Sequence, residues 1–208
     1  MTANPSLLDR VPVIPVVVID DVAHAVPVAR ALVAGGIPMI ELTLRTSCAL
    51  DAIKAIATEV PDICVGAGTI VEPDQAARAA EAGAQFLVSP GSTESLLKAM
   101  TDTGLPHLPG AATVSEVLFL LEHGYRELKF FPAEASGGAK FLGSIHSPVP
   151  AARFCPTGGV STSNVRDYLA LPNVGCVGGS WLTPSDAVKQ KDWDRISALA
   201  SEAAALAR

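Results

Sequence analysis

A lysine inside an apolar segment is the first residue of this sequence whose placement suggests chemistry. Lys129 lies within residues 127–131, ELKFF, a segment of strand-forming residues that Pro132 ends. Its side chain should therefore point into a core or toward a ligand. Because burial disfavours the charged ammonium, a buried lysine can supply the neutral amine that forms a Schiff base with a carbonyl substrate. Alternatively, the lysine protects an exposed strand edge from aggregation.

A second segment, residues 39–44, predicts a strand with its polar groups on one face. Side chains alternate along a strand, so Glu41, Thr43 and Arg45 share a face and the opposite face is apolar. Interior carboxylates are rare without a partner or a task, which makes Glu41 a candidate for proton transfer near Lys129. The alternative is an ion pair of Glu41 with Arg45 or with Lys129 that merely fills the interior. Arg45 has the planar guanidinium that binds a carboxylate, unless it is an ordinary surface arginine.

Glycine-containing turns follow the predicted third and fourth strands. Residues 66–69, GAGT, lack the third glycine of a dinucleotide fingerprint because Val71 occupies that position, so no nicotinamide cofactor is indicated. The Thr69 hydroxyl could donate to a substrate carboxylate or carbonyl, and Pro90 in the turn at 89–91 could form a wall of a site. Both segments could equally be plain βα turns.

Two glycine pairs close the last two predicted strands, and each precedes a helical segment. Backbone N–H groups at such turns bind phosphate, and the loops after strands seven and eight are the usual phosphate position in barrels of eight strands and helices. This favours phosphate binding over plain turns. The candidate residues are Gly158, Gly159, Gly178, Gly179 and Ser180.

Apolar, β-branched segments alternate with alanine-rich helical segments about eight times along the chain. Because the pattern does not change halfway, it favours a closed α/β barrel, a single (β/α)8 TIM barrel, over an open sheet. Helices are expected at 22–34, after Thr113 or Ser115, after residues 161–163, and at 185–208. The predicted strands are 13–19, 39–44, 63–67, 86–89, 105–108, 127–131, 153–156 and 174–177.

Composition limits the classes of function. The 208 residues are 49% hydrophobic and carry a net charge of -6, with no basic cluster, which argues against nucleic-acid binding and predicts one domain over 1–208. The apolar segment 11–19 is too short to span a membrane and has no signal-type cleavage site, which predicts a cytoplasmic protein. The four cysteines and four histidines lack metal-ligand spacing, so no metal is expected.

Taken together, these segments resemble one family, the aldolases of 2-keto-3-deoxy-6-phosphogluconate (KDPG) that also act on 4-hydroxy-2-oxoglutarate. The resemblance extends from about residue 11 to residue 181. It is carried by IELTLRT at 40–46, VGAGT at 65–69, SPG at 89–91, KFFPAE at 129–134, PTGG at 156–159 and GGSW at 178–181. Residues 109–113, PGAAT, have smaller side chains than expected for the family.

The resemblance implies a class I aldolase of the Entner–Doudoroff pathway, needing no metal or other cofactor and usually forming a homotrimer. It implies that Lys129 forms the Schiff base and that Glu41 shuttles protons. Arg45 and Thr69 would bind the substrate carboxylate, Thr157 would lie against the aldol centre, and Pro90 would form part of the substrate site. The phosphate would rest on the two glycine pairs and Ser180.

Other functions are compatible with the same barrel. An aldolase for the galactonate analogue is one alternative. A phosphosugar epimerase or isomerase would use the same glycine loops but would need a metal or two opposed acid and base groups. A non-catalytic phosphosugar-binding barrel would bind ligand without releasing pyruvate.

Overall fold

The computed structural model of the protein describes residues 6–206, which form an α/β barrel of parallel strands. The apolar, β-branched segments form the strands because their side chains pack well on a pleated surface. Most strands begin or end within one or two residues of the predicted bounds. The strands are β1 (Val13–Val17), β2 (Met39–Thr43), β3 (Cys64–Gly68), β4 (Phe86–Val88), β5 (His107–Leu108), β6 (Gly110–Ala111), β7 (Glu127–Phe130), β8 (Arg153–Pro156) and β9 (Val177–Gly179).

The strands pair in chain order around the barrel. One sheet has the order β5-β4-β3-β2-β1-β9 and a second has the order β6-β7-β8. Parallel bridges from Phe154 to Val174 and from Thr157 to Gly178 join β8 to the β9 segment. The predicted (β/α)8 barrel is therefore confirmed, and the carboxyl ends of its strands meet at one face, where barrel active sites lie.

The fifth barrel strand, predicted as a continuous segment at 105–108, is divided into β5 and β6. Pro109 separates the two halves, because proline has no N–H to donate to a strand ladder. Its carbonyl still accepts from the Lys129 N–H at 2.9 Å. The first half pairs with β4 and the second with β7, so the division lies where the two sheets meet.

The last strand lies further along the chain than the predicted 174–177. It comprises residues 177–179, which pair with residues 13–15 of β1, and there is no room for a side chain at either of its glycines. A Cβ at Gly178 would lie 2.2 Å from the Thr157 Oγ1, and one at Gly179 would lie 2.1 Å from the Trp181 ring. Val174 retains a single bridge to Phe154.

Helices cover the outside of the barrel and follow the predicted pattern with two corrections. The segment 22–34 begins as a 3-10 turn at Val22–His24, and the predicted helix 185–208 is two helices separated at Lys191, whose φ is 59°. Residues 207 and 208 of that prediction lie outside the described range. No helix within residues 6–206 combines the length and the apolar character needed to cross a bilayer. The helices are α1 (Ala25–Ala34), α2 (Ala49–Glu59), α3 (Pro73–Glu81), α4 (Glu94–Asp102), α5 (Val114–Glu122), α6 (Gly138–His146), α7 (Val165–Leu169), α8 (Ser185–Gln190) and α9 (Trp193–Ala204).

An ionic network closes the end of the barrel opposite the carboxyl ends of the strands. Glu127, at the start of β7, accepts from the Ser6 hydroxyl and from the Leu7 N–H at 3.1 Å. Arg153, at the start of β8, donates to Glu127 at 3.4 Å and to both carboxylate oxygens of Asp9. The hydrogen bond from Arg153 lowers the pKa of Asp9 below its usual value, despite an opposing effect of partial burial.

The lowered pKa of Asp9 predicts a pH-dependent contribution to stability. A depressed carboxyl pKa stabilises the folded state above the unfolded-state value of 3.8 and loses that contribution as the pH falls through the lower, folded-state value. Because Asp9 is more than half exposed, the Asp9→Asn variant should lose no more than about 1 kcal/mol of unfolding free energy at pH 7. Urea denaturation at several pH values should show this difference shrinking as the pH falls below about 4. Asp62→Asn is the matched control, and an equal loss in both variants would contradict the prediction.

Candidate active site

A lysine and a glutamate meet inside the barrel. Glu41 projects from β2 and Lys129 from β7, and the Lys129 Nζ lies 3.3 Å from the Glu41 Oε1. Only 4% of Lys129 and 2% of Glu41 are exposed. Since β7 has neighbours on both sides, Lys129 does not protect a strand edge. The alternation of side chains along the two strands thus placed both groups correctly in the interior.

Two neighbouring residues shape the space around this pair. A Cβ at Gly68 on β3 would lie 2.0 Å from the Glu41 Oε1, so the carboxylate occupies the volume that a side chain would fill. The Phe131 ring lies on another side, with its centroid 5.4 Å from the Lys129 Nζ. The apolar ring restricts the access of water to the amine.

Arg45 and Thr69 are in contact with each other at the carboxyl ends of β2 and β3. The Arg45 Nε donates to the Thr69 Oγ1 at 3.3 Å, and the guanidinium is exposed to solvent. Thr69 adopts φ of 59°, a left-handed conformation that is rare for a β-branched residue. This conformation places a threonine hydroxyl beside a guanidinium, an arrangement suited to binding a carboxylate.

A cavity of about 300 Å³ opens at the same face of the barrel. Phe131 contributes to its wall, so the cavity adjoins the buried pair. Six predicted site residues line it: Arg45, Thr157, Gly158, Gly159, Gly178 and Ser180. The neighbouring Gly179 does not line it, because the space beside its Cα is taken by the Trp181 ring.

Pro90 lies close to the lysine strand. Its carbonyl oxygen is 2.3 Å from the position that a Cβ at Gly110 would occupy, so Gly110 must lack a side chain. Gly110 is in turn the ladder partner of Lys129. The turn after β4 therefore packs against the backbone of Gly110, the residue paired with Lys129.

The turn at Gly158 and Gly159 is shaped to receive an anion. Both residues have positive φ, 97° and 81°, which glycine adopts without strain. Within residues 6–206, no acceptor takes up either of their N–H groups. Free N–H groups at the rim of a cavity form a site for a phosphate or a carboxylate.

Sequence reasoning missed three residues that hold the site. Gly68 was noted only as part of the turn at 66–69, and Gly110 was given no role, because the groups that fill the space beside them come from other strands and turns. Asn164 was also missed; its amide donates to the Gly159 carbonyl at 3.1 Å and accepts from the Ser161 N–H at 2.8 Å. Among the described residues, no group of His, Cys, Asp and Glu side chains is arranged to hold a metal ion.

The barrel, the buried amine and the adjoining cavity with its free backbone N–H groups together define a barrel enzyme equipped for carbonyl chemistry. Comparison with known proteins identifies the family. Residues 5–199 match the family model of KDPG and KHG aldolases, in which KHG denotes 4-hydroxy-2-oxoglutarate. The chain therefore belongs to the KDPG and KHG aldolase family, whose members act on small molecules.

Individual relatives agree with this assignment. The chain is 56% identical over 202 residues to the KHG/KDPG aldolase of Escherichia coli strain K12, covering 97% of this chain and 95% of that one. It is 57% identical over 204 residues to the 2-dehydro-3-deoxy-phosphogluconate aldolase of Dickeya dadantii, covering 98% and 96%. A crystal structure of the KDPG aldolase of Legionella pneumophila, with pyruvate captured as a covalent carbinolamine, has a TM-score of 0.93 at 45% identity and covers 95% of this chain and 96% of that one.

The fit of the Glu41 carboxylate against Gly68 generates a prediction. In Gly68→Ala, the new methyl group overlaps the carboxylate, so Glu41 must move away from Lys129. We expect a loss of about 1–3 kcal/mol in unfolding free energy, the usual cost of overpacking, and a longer distance from the Lys129 Nζ to the Glu41 carboxylate in a crystal structure of the variant.

Gly91→Ala is the matched control for this variant. A Cβ at Gly91 meets nothing within 4 Å, so its stability should change by less than about 0.5 kcal/mol. A Gly68→Ala protein with unchanged stability and an unmoved Glu41 would show that the close contact has no consequence.

Proposed function

We propose that this protein is a metal-independent class I aldolase, a carbon–carbon lyase that cleaves KDPG to pyruvate and glyceraldehyde 3-phosphate. We further propose that it cleaves 4-hydroxy-2-oxoglutarate to pyruvate and glyoxylate. The observation that carries the proposal is the buried contact of 3.3 Å between the Lys129 amine and the Glu41 carboxylate. The names of the relatives and the covalent pyruvate adduct in the Legionella enzyme support it.

The first half of the mechanism builds an electron sink. The neutral Lys129 amine attacks the C2 ketone of the substrate and forms a carbinolamine. Glu41 is the proton carrier within reach: accepting the ammonium proton frees the amine, and returning a proton to the departing hydroxyl releases water. The product is a cationic imine between Lys129 and C2.

The second half breaks the carbon–carbon bond. Removal of the C4 hydroxyl proton, by Glu41 directly or through water, turns that oxygen into a carbonyl as the C3–C4 bonding electrons move into the imine. Glyceraldehyde 3-phosphate leaves, and an enamine remains on Lys129. Protonation of C3 and addition of water to the imine carbon then release pyruvate and regenerate the amine.

The remaining site residues hold the two ends of the substrate. Arg45 and Thr69, which contact each other, bind the keto-acid carboxylate. Pro90 and Thr157 form the walls around the reacting carbons. At the other end, backbone N–H groups bind the phosphate, with the Ser180 hydroxyl as a further donor. The glycines involved are Gly158, Gly159, Gly178 and Gly179, the last through its backbone.

The assembly and setting of the enzyme are also proposals. One aldolase domain spans residues 1–208, supported by the family match over 5–199. It acts in the cytoplasm as a homotrimer, without nucleic-acid or membrane partners. Exposed apolar side chains at Val71, Val114 and Leu118 support burial against another copy.

The central prediction is a covalent adduct at Lys129. Sodium borohydride reduces the imine, so incubation with pyruvate should leave a reduced three-carbon group on the peptide containing Lys129, detected by mass spectrometry. Lys129→Ala should lose both the adduct and pyruvate release from KDPG, while its circular dichroism spectrum remains that of the wild type.

The exposed lysine variant Lys54→Ala is the control and should retain both properties. An adduct at another lysine, or none at all, would remove Lys129 from the mechanism.

Retention of activity after chelation, together with its loss after borohydride treatment, would separate the aldolase from a metal-dependent epimerase or isomerase. Activity on the galactonate analogue in place of KDPG would favour that alternative.

Arg45→Ala should weaken binding of the keto acid without preventing the chemistry. Losing a charge-assisted carboxylate contact costs about 2 kcal/mol, which corresponds to a rise of roughly 30-fold in KM, whereas kcat should change much less. A lactate dehydrogenase-coupled assay of pyruvate release measures both constants. Arg30→Ala, at an exposed position on α1, is the control, and unchanged kinetics in Arg45→Ala would exclude this residue from the site.

A further inference from the structure

The loop that follows the lysine strand is attached to the Gly158–Gly159 turn. Directly after Phe131 and Pro132, the Ala133 N–H donates to the Thr157 carbonyl at 2.8 Å, and the Glu134 N–H donates to the Gly158 carbonyl at 3.0 Å. The loop thus supplies the donors and the Thr157 and Gly158 carbonyls accept, while the N–H groups of Gly158 and Gly159 have no acceptor among residues 6–206.

The Glu134 side chain supports the same turn. A Cβ at Gly159 would lie 2.6 Å from the Glu134 Cγ and 2.7 Å from its Cβ, so the aliphatic part of Glu134 packs directly against the glycine. Gly159 has a φ of 81°, and the packing of Glu134 against one side of the turn restricts its backbone to this conformation. On the other side, the Asn164 amide binds the Gly159 carbonyl.

A buried tyrosine in turn fixes the Glu134 carboxylate. The hydroxyl of Tyr168, on α7, donates a hydrogen bond to the Glu134 Oε1. Tyr168 is 0% exposed, so its ring is held by the core while its hydroxyl reaches the edge of the loop. A tyrosine hydroxyl is protonated at neutral pH and can donate; burial, followed by the hydrogen bond to Glu134, raises the pKa of Tyr168 further above its usual value.

The charge of Glu134 argues against a role as a phosphate ligand. A carboxylate beside an anion would repel it, and this carboxylate is already bound to Tyr168. Its aliphatic stem, not its charge, faces the turn. The arrangement therefore acts on the shape of the turn, and the effect reaches the substrate only through the Gly158 and Gly159 N–H groups.

We propose that Glu134 and Tyr168 are positioning residues that hold the Gly158–Gly159 turn in the shape that binds the phosphate of the substrate. This inference rests on the proposed function and deepens it: the pair sets the preference for a phosphorylated substrate over one that ends in a carboxylate. The keto-acid end is held elsewhere, by β2, β3 and β7, so the pair leaves the Schiff-base chemistry untouched.

Tyr168→Phe tests the proposal, because it removes the hydroxyl and keeps the ring in the core. Losing a hydrogen bond to a charged group should lower kcat/KM for KDPG about tenfold relative to that for 4-hydroxy-2-oxoglutarate, mainly through KM. Glu134→Gln keeps the packing against Gly159 and should shift the ratio in the same direction by a smaller factor. This second variant decides the question if Tyr168→Phe does not fold.

Tyr125→Phe is the matched control. Its hydroxyl also makes two hydrogen bonds of 2.9 Å, to Thr101 and His107, away from the glycine turn, so its removal should leave the substrate ratio unchanged. If the Tyr168 and Glu134 variants lose activity on both substrates equally, or lose none, the positioning role is overturned.

A binding measurement separates this inference from the proposed reaction. Inorganic phosphate, titrated calorimetrically into the wild-type protein, should bind about tenfold more tightly than to Tyr168→Phe. Equal affinities, or no binding to the wild type, would overturn the inference. Failure of the proposed reaction has a different signature, the absence of a borohydride-trapped pyruvate adduct at Lys129, even where phosphate binding responds to the variant as expected.

Discussion

The site depends on a single buried contact, that between the Lys129 amine and the Glu41 carboxylate. Removing either charge from water is costly, and each group is retained in the barrel because the other is 3.3 Å away. The neighbouring residues leave space for this buried contact and shield it from water. The absence of a side chain at Gly68 leaves room for the carboxylate, and the Phe131 ring limits the access of water to the amine. In the proposed reaction a proton moves along the same contact, since the carboxylate must take a proton from the amine before the amine can attack.

The two ends of the cavity are built differently, and this suits their proposed tasks. The reacting pair projects from strands in the middle of the barrel, whose backbones are held on both sides by neighbours. Rigid placement matters most where bonds form and break. The anion end is a turn of two glycines that supplies backbone N–H groups and takes its shape from Glu134 and Asn164. Substrate preference can therefore change in the turn and its supports without disturbing the amine.

Much of the site was predictable because strands have a period of two. Once residues 39–44 and 127–131 are recognised as strands, the inward positions of Glu41 and Lys129 follow, and the barrel brings them together. The same reasoning could not choose a partner for Glu41 between Arg45 and Lys129, since that depends on the curvature of the sheet. It also could not link Glu134 to Tyr168, because the sequence does not distinguish a tyrosine on a helix 34 residues later from any other core residue.

Thr69 illustrates how function can limit stability in this fold. A β-branched residue at φ of 59° carries a conformational cost of roughly 1–2 kcal/mol, which a glycine in its place would avoid. Replacement by glycine would also remove the hydroxyl that meets Arg45. Under the binding role proposed for Thr69, selection for thermostability and selection for keto-acid binding therefore favour different residues at this position. In a laboratory evolution experiment that selects for thermostability alone, we expect Thr69 to be replaced early.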